Sequence, residues 1–183
     1  MKVLLTSAGF ENKKLEKLFL ELIGKESKDI KVVFIPTAAV TADAVLVLQK
    51  CMQDLLSAGI FKDNILVYDM HKVLPLEKLL SYDAIYVCGG NTKYLLDRVL
   101  ENNFDIVLKE YIRNGGVYVG VSAGSLITTQ SINNNLGLIN CILSVHCEEG
   151  SKAGQVDTGN CPHIYLTNKQ AIYLTENSVQ IME

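Results

Sequence analysis

Tryptophan is absent from this 183-residue chain, and proline and histidine are scarce, with three residues each. Without tryptophan or a Lys/Arg stripe, nucleic acid is a poor candidate partner. The prolines (36, 75 and 162) stand singly at turns, and no repeat or low-complexity stretch separates one part of the chain from another. Cysteine is present five times, an odd number, and never as Cys-x-x-Cys. A disulfide framework and a zinc site are therefore not expected, and a reducing cytoplasm is the expected location. Long hydrophobic runs are missing too: Val32–Ile35 and Ala84–Cys88 are far too short to span a bilayer. The apolar stretch after Met1-Lys2 is too short for a secretory signal. Neither sign of charge dominates, with 17 basic against 20 acidic side chains and a net charge of −3.

Apolar residues make up 49% of the chain and charged residues 20%, the balance of a globular protein. Its length suggests a single domain over 1–183 with an ordinary core. Short apolar runs at Lys2–Thr6, Lys31–Ile35, Ile65–Tyr68, Ala84–Cys88 and Gly116–Val121 read as strands. Between them, apolar residues three and four apart predict helices. The first carries Leu15, Leu18, Phe19, Leu22 and Ile23 and stops at Gly24. The second carries Val45, Leu48, Met52 and Leu55. Alternation of this kind predicts an α/β fold, a three-layer sandwich around a mostly parallel sheet. Near the C-terminus, His163–Thr167, Ala171–Thr175 and Val179–Met182 read as short antiparallel hairpins at one sheet edge.

The strongest chemical signal is Gly120-Val121-Ser122-Ala123-Gly124, placed between a predicted strand and a predicted helix. A sharp strand-to-helix turn projects the serine oxygen from the sheet, and the flanking glycines relieve crowding around it. The N–H after the serine, that of Ala123, can then help hold an oxyanion. Cys88-Gly89-Gly90-Asn91-Thr92 makes a second strand-to-helix passage. There Gly90 N–H is the candidate for the other half of the oxyanion hole, with Gly89 and Asn91 as candidate substrate-binding neighbours. Its glycine spacing fits neither a dinucleotide fingerprint nor a Walker loop. As general base, His146 ends the apolar run Ile142–Val145, where an open α/β sheet gathers active-site groups. His163 stays close behind it, and His71 reads as a surface residue. Cys88 reads as a small buried hydrophobe rather than a nucleophile.

Together these segments resemble the peptidase E family, the aspartyl dipeptidase and cyanophycinase group of serine peptidases. The resemblance rests on Tyr86–Thr92, on Gly120–Ser125, and on Leu136-Gly137-Leu138 followed by Ser144-Val145-His146-Cys147. Thr6-Ser7-Ala8-Gly9 and Phe34–Ala38 extend it over most of the chain. It implies a fold related to class I glutamine amidotransferases. It also implies Ser122 as nucleophile, His146 as base, and Gly90 and Ala123 N–H groups as the oxyanion hole. No metal or cofactor is implied, and the partner is a small peptide substrate, with no nucleic acid and no membrane. A homodimer stays open. The sequence departs from the family at the third catalytic position. Ser131–Asn135 contains no carboxylate, and the late acidic turn appears as Thr167-Asn168. Asn168 is the candidate third member, against the alternative that it is an ordinary turn residue and that Asp157, Glu148 or Glu149 serves. The arginine-bearing stretch after the histidine is also missing, so a strong preference for aspartyl dipeptides is not expected. A related amide or ester hydrolase, or a member that binds a small ligand without turnover, are the alternative functions.

Overall fold

Strand and helix alternate from β1 (Lys2–Thr6) through α1 (Lys13–Ile23), β2 (Val32–Ile35), α2 (Ala42–Ser57), β3 (Ile65–Val67), α3 (Leu76–Leu79) and β4 (Ala84–Val87). After α4 (Thr92–Glu101) and α5 (Phe104–Arg113) come β5 (Val117–Val121) and the short α6 (Ala123–Leu126). The strands β6 (Ile142–Ser144), β7 (Gly154–Gln155), β8 (His163–Tyr165), β9 (Ala171–Leu174) and β10 (Val179–Met182) follow. The structure, a computed structural model, describes residues 1–183, the side chain of Asp43 excepted. Local chemistry marks the helix ends. Asn12 accepts the N–H of Lys14 ahead of α1, and Gly24 closes that helix in the left-handed region at φ 70°.

Eight strands form one sheet in the order β3-β2-β4-β5-β1-β9-β10-β7. The first five run parallel, and β9, β10 and β7 pair antiparallel beyond β1. Helices cover both faces, so β2, β4 and β5 are buried along their whole length. Alternate residues serve opposite faces. Val3, Leu5, Ile35, Val87 and Tyr118 belong to the layer containing α4 and α5, while Leu4, Phe34, Tyr86 and Val119 belong to that of α1 and α2. Each large apolar side chain buried there contributes about 1.5–3 kcal/mol. Among the described residues no helix is long and apolar enough to cross a membrane.

Two details differ from expectation. α2 turns Ala44, Cys51 and Leu55 to the core, with Leu48 and Met52 partly buried against it, and leaves Val45 46% exposed. Second, His163–Tyr165 is not part of a hairpin. It pairs parallel with β6 in a separate two-stranded sheet, Ile142 opposite His163 and Ser144 opposite Tyr165. The Thr167–Gln170 turn, closed by Gln170 N–H on Thr167 O, then carries the chain from that small sheet into β9 of the large one.

Candidate active site

The carboxyl ends of β1, β4 and β5 lie side by side, since β5 pairs with both β1 and β4. That edge is where an open α/β sheet binds its ligands. At the end of β5 the backbone breaks sharply. Ser122 has φ 49° and ψ −104°, an unfavourable conformation for a residue with a side chain, and α6 starts at the next residue. Its N–H is tied to Thr6 O of β1 at 3.0 Å. The flanking glycines are required by close approach. A Cβ on Gly120 would lie 2.6 Å from the carbonyl carbon of Gly124, and one on Gly124 would lie 2.5 Å from Val87 O. The turn is thus pressed between its own helix and the end of β4.

Beyond β4, Gly90 takes φ 138°, and a Cβ there would collide with the Ala38 carbonyl. Gly89 lies against Ser122: a Cβ on it would stand 3.2 Å from the serine Cβ. Asn91 caps the next helix, as its place before Thr92 leads one to expect. Its Oδ1 accepts Tyr94 N–H at 2.9 Å, and, contrary to the substrate-binding expectation, it is not among the residues lining the cavity at Ser122. Ala123 is the first residue of α6, so its N–H is one of those with no acceptor inside the helix.

His146 follows β6 and holds φ 59°, again left-handed. Its Nε2 lies 3.0 Å from Ser122 Oγ and its Nδ1 lies 2.7 Å from Asn168 Oδ1. An amide oxygen can only accept, so the ring hydrogen sits on Nδ1 and the Nε2 lone pair faces the serine hydroxyl. The three residues the sequence proposed are therefore in one chain of contacts. The rival acids are elsewhere: Asp157 Oδ1 accepts Gly159 N–H at 2.8 Å, and neither Glu148 nor Glu149 lines the cavity. His163 is paired with Ser144 Oγ at 2.8 Å and with Tyr165 Oη at 3.1 Å, and His71 is an exposed loop residue beside Asp69. Among the described residues no three His, Cys, Asp or Glu side chains form a group able to hold a metal.

The cavity encloses about 210 Å³. Its wall opposite Ser122 comes from α2, through Val47, Lys50 and Cys51, none of which the sequence singled out. Their helical spacing was visible, but a helix pattern does not tell which turn overhangs a site. Lys50 Nζ is ion-paired with Glu11. One turn further along α2, Asp54 Oδ2 accepts Phe10 N–H at 2.9 Å and Tyr86 O–H at 2.8 Å. Burial holds that carboxyl above the usual range, against the pull of those two donors. Cys88 is fully buried, and desolvation pushes its thiol well above the ordinary value, which makes it a poor nucleophile.

Comparison with known proteins gives a consistent likeness. The sequence model of peptidase family S51 matches residues 3–173. An uncharacterized peptidase of Pasteurella multocida is 29% identical over 134 residues, 73% of this chain and 63% of that one. The peptidase E of Shewanella amazonensis is 34% identical over 101 residues, 55% of this chain and 41% of its own. The chain thus aligns with less than two thirds of the length of these curated relatives. A crystal structure from Listeria monocytogenes, assigned to peptidase E, superposes with a TM-score of 0.75 at 22% identity, covering 100% of this chain and 98% of that one. The fold is common to both.

Proposed function

Because the chain belongs to peptidase family S51, we propose that it is a serine peptidase cleaving small peptides through Ser122 and His146. One observation carries the proposal: His146 Nε2 sits 3.0 Å from the serine hydroxyl at a strained strand-to-helix turn. Ser122 Oγ attacks the peptide carbonyl while His146 takes its proton. The negative oxygen of the tetrahedral intermediate is met by the N–H groups of Ala123 and Gly90. His146 then returns the proton to the leaving amine, and a water molecule, deprotonated by the same nitrogen, releases the acyl group. Asn168 keeps the ring hydrogen on Nδ1 throughout. The cavity of about 210 Å³ suits a short peptide rather than a folded chain.

A fluorophosphonate probe tests the reading without a known substrate. Attack by Ser122 Oγ forms an oxygen–phosphorus bond, expels fluoride and leaves the proton on His146. Covalent label on Ser122, lost in Ser122→Ala, is the expected result. Folded wild-type protein that takes no label would reject the proposal.

A further inference from the structure

Asn168 presents a problem that a carboxylate in its place would not. The two oxygens of a carboxylate are equivalent, whereas the two ends of an amide have opposite hydrogen-bonding roles. With Oδ1 toward the imidazole, the ring keeps its hydrogen on Nδ1 and His146 can act as a base. With the amide turned over, Nδ2–H would donate to Nδ1, the ring hydrogen would move to Nε2, and the nitrogen facing Ser122 could accept nothing.

Ser7 stands where it can decide between these states. It follows β1 directly and is 0% exposed. Its hydroxyl has one hydrogen and two lone pairs. The backbone N–H of His146 donates to Ser7 Oγ at 2.7 Å, and the hydroxyl hydrogen faces Asn168 Oδ1 at a longer 3.4 Å. Among the described residues, the partners of the Asn168 side chain are Ser7 and His146. A flipped amide could donate Nδ2–H to the second lone pair of Ser7 Oγ, but the buried hydroxyl hydrogen, which has Asn168 Oδ1 as its acceptor, would then be left without one. The same hydroxyl also fastens the backbone of His146, which holds a left-handed φ of 59°.

We propose that Ser7 is a positioning residue that selects the amide orientation of Asn168 and so sets the His146 ring in the tautomer that can act as base. The proposal rests on the Ser122–His146 mechanism for its catalytic meaning, but it can be tested apart from it.

The experiment is a double-mutant cycle on fluorophosphonate labelling rates, with Ser122→Ala as the blank. Ser7→Ala is expected to slow labelling, and the slowing should be about 5-fold or more greater with Asn168 present than in the Asn168→Asp background, roughly the weight of one hydrogen bond. Equal slowing in both backgrounds would mean that Ser7 only braces the fold, and would overturn the proposal. Should Ser7→Ala fail to fold, Ser7→Cys keeps the size with a weaker donor and is read by the same comparison. In parallel, ¹⁵N spectra of the His146 ring report the tautomer directly. Wild-type protein should show the hydrogen on Nδ1, and Ser7→Ala should shift population to Nε2; an unshifted ring would also overturn the proposal. Wild-type protein that resists labelling yet shows the Ser7-dependent tautomer would reject the peptidase mechanism and leave the role of Ser7 standing.

Discussion

Ser122 and His146 share one proton in the proposed mechanism, so removing either leaves the other without a task. Ser122→Ala and His146→Ala are each expected to abolish nearly all turnover, by up to about 10⁶-fold in kcat as in other serine–histidine sites. His163→Ala and His71→Ala should keep kcat within about 3-fold, because His163 is engaged with Ser144 and Tyr165 and His71 lies in an exposed loop. A folded His146→Ala protein with near-normal turnover on a peptide substrate would contradict the assignment. Asn168 brings no full charge to the imidazolium formed during catalysis, and Asn168→Asp should raise kcat about 10-fold. Asp is the informative replacement, since Asn168 Oδ1 already lies 2.7 Å from the ring and a longer Glu would overreach. At this scale the sequence was informative about Ser122, whose turn glycines announce themselves locally. It was silent about Ser7, because its bond to His146 spans 139 positions and a serine at a strand end has no distinguishing pattern.

Helix α2 links the cavity to the buried layer beneath it, and its Asp54 makes stability depend on pH. The carboxyl is raised by burial above its unfolded value, so between those two values the folded state holds more proton than the unfolded one. Stability is therefore greatest below the unfolded value, near pH 3.9, and this contribution is lost as pH rises through the folded one. Asp54→Asn keeps an oxygen for Phe10 N–H and Tyr86 O–H while removing the buried charge. Urea unfolding midpoints between pH 4 and pH 7 should decline less steeply in this variant than in the wild type; parallel curves would show that Asp54 carries no such cost. The elements themselves were legible where period and a stop signal agreed, as in α1, whose apolar stripe ends at Gly24. They were misread where only apolar period was available. His163–Tyr165 buries Ile164 between two exposed neighbours, a pattern that says strand but not which partner or direction.

For the molecule as a whole, the alternation of apolar strands and helices made the parallel sheet readable and the motifs named Ser122, His146 and Asn168 as candidates, while the cavity wall from α2 emerged only in the structure. The sheet edge gathers the loops after β1, β4 and β5, the residue following β6, the turn before β9 and one face of α2. Only the first few of these carry a local motif. The charge of the assembled cavity is likewise a property of the whole. Lys50 is the cation lining it, and Glu11, from a different segment, already neutralises that charge. Asp-Xaa dipeptides are therefore expected to show a kcat/KM advantage below about 100-fold over neutral dipeptides. Glu11→Gln, which frees Lys50, should move the ratio toward the acidic substrates. A larger wild-type preference for aspartate would show that another group supplies the charge. Finally, the antiparallel seam of β1 with β9 sets an order in time. During synthesis the ribosome delivers the nucleophile turn first, then the histidine, then the amide that orients it, and β1 cannot close its second flank until β9 has emerged. On the proposed mechanism a nascent chain that has folded its parallel strands carries a serine without a working base. Hydrolytic activity is thereby withheld from the half-made protein by nothing more than the direction of translation.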